Sequence, residues 1–330
     1  MRIKTNLLGV FFCLLLATSC TTMNYIDIDV RKPAEITIPT SAENIALIDI
    51  TRAEGVAGMS TVMCDALSQF LGEAQKFNSV VVFKDTLSMG KETYPTQYEI
   101  AGICNETASD ALFVLNRYNL EVKETSAADM RFFGLNRNTL TLTVDALLSV
   151  FHKDGNMIVN PIQVSDSLRW IEFRRDNNND VLGDSLPLLD EAKTEMAVYM
   201  ATQMEKKLVP YWQQQERWYY SDGTTQMKRA KAFVEGDEWQ EALSVWAEIY
   251  SKEKKEYKKA RLASNMALAY EMLDDLEQAR YWANIAAELF PVQPRLSEYE
   301  VLDKERAEAY TKRLEFRIKE SDILDRQENR

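Results

Sequence analysis

His152 is the only histidine among 330 residues. A Ser-His-Asp or Cys-His site would have to be built on that one ring, and no cluster of imidazoles can hold a zinc ion. The ring also precedes Lys153-Asp154-Gly155-Asn156, whose Asp-Gly favours a tight hairpin, so a solvated strand end is expected there. Asp176-Asn177-Asn178-Asn179-Asp180 places oxygens at alternate positions, as the first half of a calcium loop does. Val181 then stands where that loop turns on Gly, and Pro187 where a bidentate Glu closes the shell, which leaves a hairpin. Gly55-Val56-Ala57-Gly58-Met59-Ser60 precedes a helical pattern, where phosphates are cradled, but it lacks the Lys of a P-loop and the third Gly of a dinucleotide turn. A helix-entry turn with Ser60 near the cap is the reading. Glu191 and Glu195 are spaced for a charged helical face rather than an acid–base pair. No catalytic constellation emerges, and no metal or cofactor is expected.

The elements that would carry any site are legible. Residues 44–50, Asn-Ile-Ala-Leu-Ile-Asp-Ile, form a blunt apolar run, as does Val80-Val81-Val82-Phe83, and as do residues 111–115; such runs suit strands buried on both faces. Between them, Met63, Ala66, Leu67, Phe70, Ala74 and Phe77 recur at helical spacing, as do Tyr98, Ala101, Cys104 and Ala108. Cys64 and Cys104 lie in these helices and read as small buried hydrophobes, with a bridge permitted by an oxidising compartment. Longer strands follow over 118–122, 139–151 and 163–173, forming a meander, and then a helix through Leu186, Leu189, Ala192, Met196, Tyr199 and Met200 that ends near Pro210. The expectation is an α+β or α/β domain over 41–222, a curved mixed sheet with helices on one face. That order resembles the α/β domain of curli-secretion-type and TolB-type envelope lipoproteins. The resemblance speaks to fold and not to activity.

The amino terminus adds an address. Arg2 and Lys4 precede an apolar stretch from Leu7 to Leu16, which stops at Ala17-Thr18-Ser19-Cys20; this is the layout of a secretory signal and is too short to span a bilayer. Leu16-Ala17-Thr18-Ser19-Cys20 resembles the lipobox of bacterial lipoproteins, which implies lipid attachment at Cys20, a signal over 1–19 and a tether over 20–40. Loss of Arg2 and Lys4 moves the formal charge from -12 to about -14. An acidic chain disfavours nucleic acid and a polybasic membrane contact, so lipid rather than charge is expected to hold it. Past the signal there is no apolar run long enough for a transmembrane helix.

The last third repeats itself. Trp239-Gln240-Glu241-Ala242-Leu243 aligns with Leu276-Glu277-Gln278-Ala279-Arg280 at an offset of 37 residues, which also pairs Ala230 with Ala267 and Phe233 with Tyr270. Small-then-aromatic pairs on a first helix, with Ala242 and Trp246 or Ala279 and Ala286 on the second and a closing Pro291, resemble the tetratricopeptide repeat. Residues 297–324 read as one long capping helix. The resemblance implies an all-α helical hairpin array over 223–330 with a concave face that binds a protein segment. Its inner residues would be Lys231 and Val234 in the first unit, and Asn265, Leu268 and Glu271 in the second. Lys231 and Asn265 resemble residues that grip a peptide carboxylate in some repeat proteins.

Before the array stand Tyr211, Trp212, Trp218, Tyr219 and Tyr220, which either weld two domains or form a stacking ladder for a glycan. The whole layout resembles an uncharacterised family of envelope lipoproteins from the Bacteroidota. The function expected is therefore that of a lipid-anchored, non-catalytic scaffold of the outer membrane and periplasm with a protein partner. The alternative is a glycan-binding or hydrolytic protein with its site at the aromatic segment or the sheet edge.

Overall fold

Ile45 to Ile48 are fully buried, and alternate residues of that run serve two different cores. The computed structural model describes residues 22–51, 58–84, 94–128, 135–175, 181–290 and 298–328. Cys20 and its preceding segment, Gly55 to Ala57 of the glycine loop, and the 176–180 oxygen cluster lie outside the described residues. After β1 (Thr22–Lys32), the buried run is β2 (Asn44–Asp49), followed by α1 (Met59–Glu73), β3 (Ser79–Phe83), α2 (Gln97–Glu106) and β4 (Ala111–Ala128). β3 and β4 both pair with β2 in parallel. β5 (Leu135–His152), β6 (Met157–Arg175) and β7 (Val181–Leu182) extend the sheet antiparallel, in the order β3-β2-β4-β5-β6-β7.

The chain steps from β2 to β3 in one direction and from β3 across β2 to β4 in the other. Right-handed crossovers in opposite directions put their helices on opposite faces. Ile45, Leu47 and Phe113 accordingly pack with Met63, Leu67 and Leu71 of α1, and with Met196, Met200 and Met204 of α3 (Leu189–Leu208). Ala46, Ile48 and Val114 pack instead with Ile100, Ile103 and Cys104 of α2. The expected placing of helices against one face holds for α1 and α3, and α2 adds a cover on the second face at the parallel end. Cys64 and Cys104 belong to different cores and both are free thiols. Burial pushes both thiols up in pKa, Cys104 to about 11.

Local rules hold these elements. Thr96 caps α2 reciprocally: its hydroxyl accepts from the Glu99 N–H at 3.3 Å, and the Glu99 carboxylate accepts from the Thr96 N–H at 2.7 Å. At the start of α1, Gly58 takes the cap position with φ 100° and no side chain caps it; Ser60 is buried in the first turn instead. Gly155 turns β5 into β6 at φ 87°, and a Cβ there would lie 2.5 Å from Gln97 Cγ, so Gly is required twice over. His152 is half-buried beside that turn, 3.1 Å from Asp154.

Glu172 on β6 is a buried carboxylate. The Arg174 guanidinium bonds to it, Asn138 Nδ2 donates at 3.1 Å and the Leu186 N–H at 3.3 Å. The Arg174 hydrogen bond leads; burial opposes it, and Asn138 and Leu186 add to it, so the Glu172 pKa falls to about 2. A depressed carboxyl contributes stability above its unfolded pKa and loses it as pH falls through its folded pKa. Glu172→Gln should therefore be less stable than wild type near neutral pH, with the gap closing between about pH 4 and about pH 2. Urea midpoints measured across that window check this; a pH-independent gap would refute it.

Residues 33–211 form one compact unit, and the segments flanking them form another. The 20–40 stretch is thus no simple tether among its described residues: β1 pairs with β8 (Tyr211–Ser221) in a two-stranded ribbon. Asn24 Nδ2 donates to Ser221 Oγ at 2.8 Å, and the Arg31 guanidinium stands 5.3 Å from the Trp212 ring centre, the pairing of opposite ends that antiparallel strands make. The alternation Ile26, Ile28, Val30 on β1 is what the ribbon buries. Four hairpin helices follow, α4 (Thr225–Glu235), α5 (Trp239–Lys252), α6 (Glu256–Met272) and α7 (Leu276–Leu289), and then α8 (Glu298–Gln327), the single long helix expected.

The 37-residue offset is geometric as well as chemical. Asp237 and Asp274 both take positive φ, 58° and 61°. The next residues, Glu238 and Asp275, have φ/ψ of −93°/68° and −90°/74°, and each opens the second helix of its hairpin.

Candidate functional site

The inner face of the helical array is occupied by the chain's own ribbon. β8 carries bulky aromatics on alternating sides, so burying it demands cover on both faces. Tyr219 packs among Met227, Trp246, Leu262 and Met266, while Tyr220 packs among Ala260, Ala263 and Phe290. Trp218 meets Tyr310 of α8 with ring centres 5.6 Å apart. Alanine on α6 is what lets the strand approach so closely.

Two polar residues of α6 fix the strand. Asn265 is fully buried; its Oδ1 accepts from the Tyr220 N–H at 2.7 Å and its Nδ2 donates to the Tyr220 carbonyl at 2.7 Å. The side-chain amide thereby completes the backbone pairing that an adjacent strand would otherwise supply. One helical turn and a half further on, Glu271 accepts from Arg217 Nε at 2.8 Å and Nη2 at 2.7 Å, and also from Arg317 and the Tyr310 hydroxyl. The Arg217 and Glu271 side chains are 1% and 0% exposed. Burial works to raise the Glu271 pKa, but the Arg217 fork, the Arg317 charge and the Tyr310 hydroxyl outweigh it and leave the carboxyl below its usual value. Tyr310 is pushed well up, first by burial and then by the Glu271 charge. A second buried carboxylate, Asp303 on α8, takes Arg261 Nη2 at 2.8 Å and the Tyr220 hydroxyl at 3.0 Å.

Of the five residues expected to grip a partner, Val234, Asn265, Leu268 and Glu271 are buried within the chain's own unit. Val234 and Leu268 are core, and Asn265 and Glu271 hold β8. Lys231 is half-buried, with Nζ 3.4 Å from Asn24 Oδ1 on β1 and 3.6 Å from Glu235. The face on which repeat position places them is covered by β8 and β1. The aromatic segment does weld, although to the helices of its own unit. Tyr219 and Tyr220 are buried and Trp218 half-buried, so the five-ring glycan ladder does not form. Trp212 alone of the tryptophans stays broadly open, at 63% exposed.

Beside the Glu271 cluster lies a cavity of about 300 Å³. Its walls include Asp29 and Arg31 of β1, Trp212 of β8, Asp274 of the α6–α7 turn, and Arg317 and Asp325 of α8. Arg31 is stacked on Trp212 and 3.3 Å from Glu328, and Arg317 is engaged by Glu271. Asp29, Asp274 and Asp325 have no ion pair among the described residues. An indole face with free carboxylates around it suits a cationic side chain. Sequence reading missed this site because its walls come from four separated segments. Among the described residues, no group of three or more His, Cys, Asp or Glu could hold a metal ion, and no helix is long and apolar enough to cross a membrane.

Two sequence families match the chain: one described as "Domain of unknown function (DUF8603)" over residues 31–220, and one described as "Domain of unknown function (DUF6340)" over residues 228–316. No curated protein matches it. Solved structures align with about half of it. A minor lipoprotein from Acinetobacter baumannii is 11% identical, covering 51% of this chain and 90% of that one at a TM-score of 0.26. A neuraminyllactose-binding hemagglutinin homolog from Helicobacter pylori is 12% identical, covering 54% and 88% at 0.34. PelC from Paraburkholderia phytofirmans, a dodecamer, is 7% identical, covering 56% and 99% at 0.24.

Proposed function

We propose that this chain, which belongs to the DUF8603 family through residues 31–220, is an envelope lipoprotein of the outer membrane, held by lipid at Cys20 and acting as a non-catalytic scaffold for a protein partner. The observation that carries the scaffold reading is the capture of β8: the polar groups on the inner face of the helical array are engaged in fixing the chain's own strand. The paired helices are of the tetratricopeptide kind, with the peptide they hold built in. The partner then docks outside the filled groove, at the cavity walled by Trp212, Asp29, Asp274 and Asp325, which accepts a Lys or Arg side chain of that partner.

Two measurements test this. Cys20→Ser should move the protein from the membrane to the soluble envelope fraction without changing its circular dichroism; a variant that stays with membranes sinks the anchor. Crosslinking in intact cells should lose a specific protein adduct in Asp274→Lys and Trp212→Ala, and an unchanged adduct pattern counts against the cavity. Saturable quenching of tryptophan fluorescence by soluble glycans, abolished in Trp212→Ala, would transfer the site to the glycan-binding alternative.

A further inference from the structure

The basic end of the helical unit is well placed to face the membrane. β1 starts at Thr22, two residues after Cys20, so a lipid on Cys20 sits within about 7 Å of chain from the first residue of the ribbon. Met23 at that end packs with Tyr220, Ala260, Phe290 and Tyr250, beside the first turn of α6. The segment that enters α6 there is Lys252-Glu253-Lys254-Lys255-Glu256-Tyr257-Lys258-Lys259-Ala260-Arg261, six cations against two carboxylates in a chain of formal charge -12. Glu253 is turned inward onto its own backbone, accepting from the Lys254 and Lys255 N–H groups at 2.8 and 2.9 Å. Lys252 is paired with Glu248, Lys259 lies over the Tyr250 ring and Arg261 is paired with Asp303. Lys254 and Lys255 are exposed and Lys258 half-buried, and none of the three has an ion pair among the described residues. The other end of the ribbon has the opposite character, with Asp29, Asp274, Asp325 and Glu328 round the cavity near Arg31 and Trp212.

We infer that Lys254, Lys255 and Lys258 rest on the phosphate-bearing headgroups of the leaflet that holds the Cys20 lipid, and so orient the helical unit with its acidic cavity away from the surface. The inference rests on the lipid-anchor reading. Net acidity does not oppose it: a charge is felt within about 8 Å at physiological salt, so the local cations govern what the near surface experiences. Each lysine close to an anionic bilayer strengthens attachment roughly fivefold. The two ends of the ribbon are separated by its 11-residue length, roughly 35 Å, several screening lengths.

The test uses the full lipidated chain in vesicles of phosphatidylethanolamine and phosphatidylglycerol, with flotation read separately from lysine acetylation by mass spectrometry. Lys254, Lys255 and Lys258, and with them the neighbouring Lys252 and Lys259, should be shielded relative to the same protein in neutral detergent, while Lys319, next to Glu320 that pairs with Lys32 at the far end, stays reactive. The variant combining Lys254→Glu, Lys255→Glu and Lys258→Glu should still float but lose shielding of Lys252 and Lys259. Flotation with those lysines as reactive as in detergent, or with Lys319 shielded instead, overturns the orientation alone. A chain that does not float overturns the anchor and the orientation with it.

Discussion

Replacing Glu271 by Gln is expected to destabilise the helical unit by about 3–5 kcal/mol, because it leaves the Arg217 guanidinium buried without a counter-charge. Arg217 has no route to water: its side chain is 1% exposed, and its remaining partners are the Glu216 carbonyl at 3.1 Å and Gln215 Oε1 at 3.0 Å. The amide nitrogen that replaces one carboxylate oxygen cannot accept, so either Arg317, bonded to Oε1, or Tyr310, bonded to Oε2, loses its acceptor in the same stroke. Urea unfolding followed by the helical signal measures the loss. A double variant, Glu271→Leu with Arg217→Met, removes both charges at similar volume and should recover much of it, since an ion pair and its apolar replacement often differ little. A single variant within about 1 kcal/mol of wild type would show that the cluster is hydrated and does not clamp β8.

The pH dependence has a definite sign. Glu271 is held below its usual value in the folded state, so its contribution is complete above the unfolded carboxylate range and is lost as acid protonates it. Wild type and Glu271→Gln should therefore converge in acid and diverge towards neutrality. A gap that widens in acid would reverse the assignment.

Asn265→Leu is the second large effect, expected at about 2–6 kcal/mol, because two buried backbone groups of Tyr220 are left unpaired at about 1–3 kcal/mol each. Leu has as many side-chain heavy atoms as Asn and branches at the same carbon, so none of the loss comes from a cavity. The informative readout is local: amide hydrogen exchange at Tyr220 should accelerate sharply in the variant, more than at Trp246 in the core of the first hairpin. Equal acceleration at both would mean general loosening. No change at Tyr220 would mean that its N–H has another acceptor and that Asn265 does not hold the strand.

The repeat was legible because the same turn must be made twice. Gly236-Asp237-Glu238 and Leu273-Asp274-Asp275 differ in residue type, yet the Ala, aromatic and capping positions around them recur at one offset, and backbone geometry follows those positions. β2 was legible because a strand buried on both faces leaves an apolar run with no alternation. β1 was harder: Ile26, Ile28 and Val30 alternate, but Pro33 and the polar residues between them read as linker, and nothing nearby in sequence supplies their partner.

What the sequence determined by itself was therefore the elements of the α/β domain, the helical hairpins and the 37-residue period, all products of spacing along one chain, while the β1–β8 ribbon emerged only from the fold. Tertiary structure decided what the helical groove is for. Asn265 and Glu271 are polar residues on a helix, a pattern that alone reads as a surface open to a partner. Their burial depends on Tyr220, 45 residues earlier, and Arg217, 54 residues earlier. A hydrogen bond satisfies a buried polar group wherever its partner comes from in the chain, and spacing holds no record of which distant residue will be that partner.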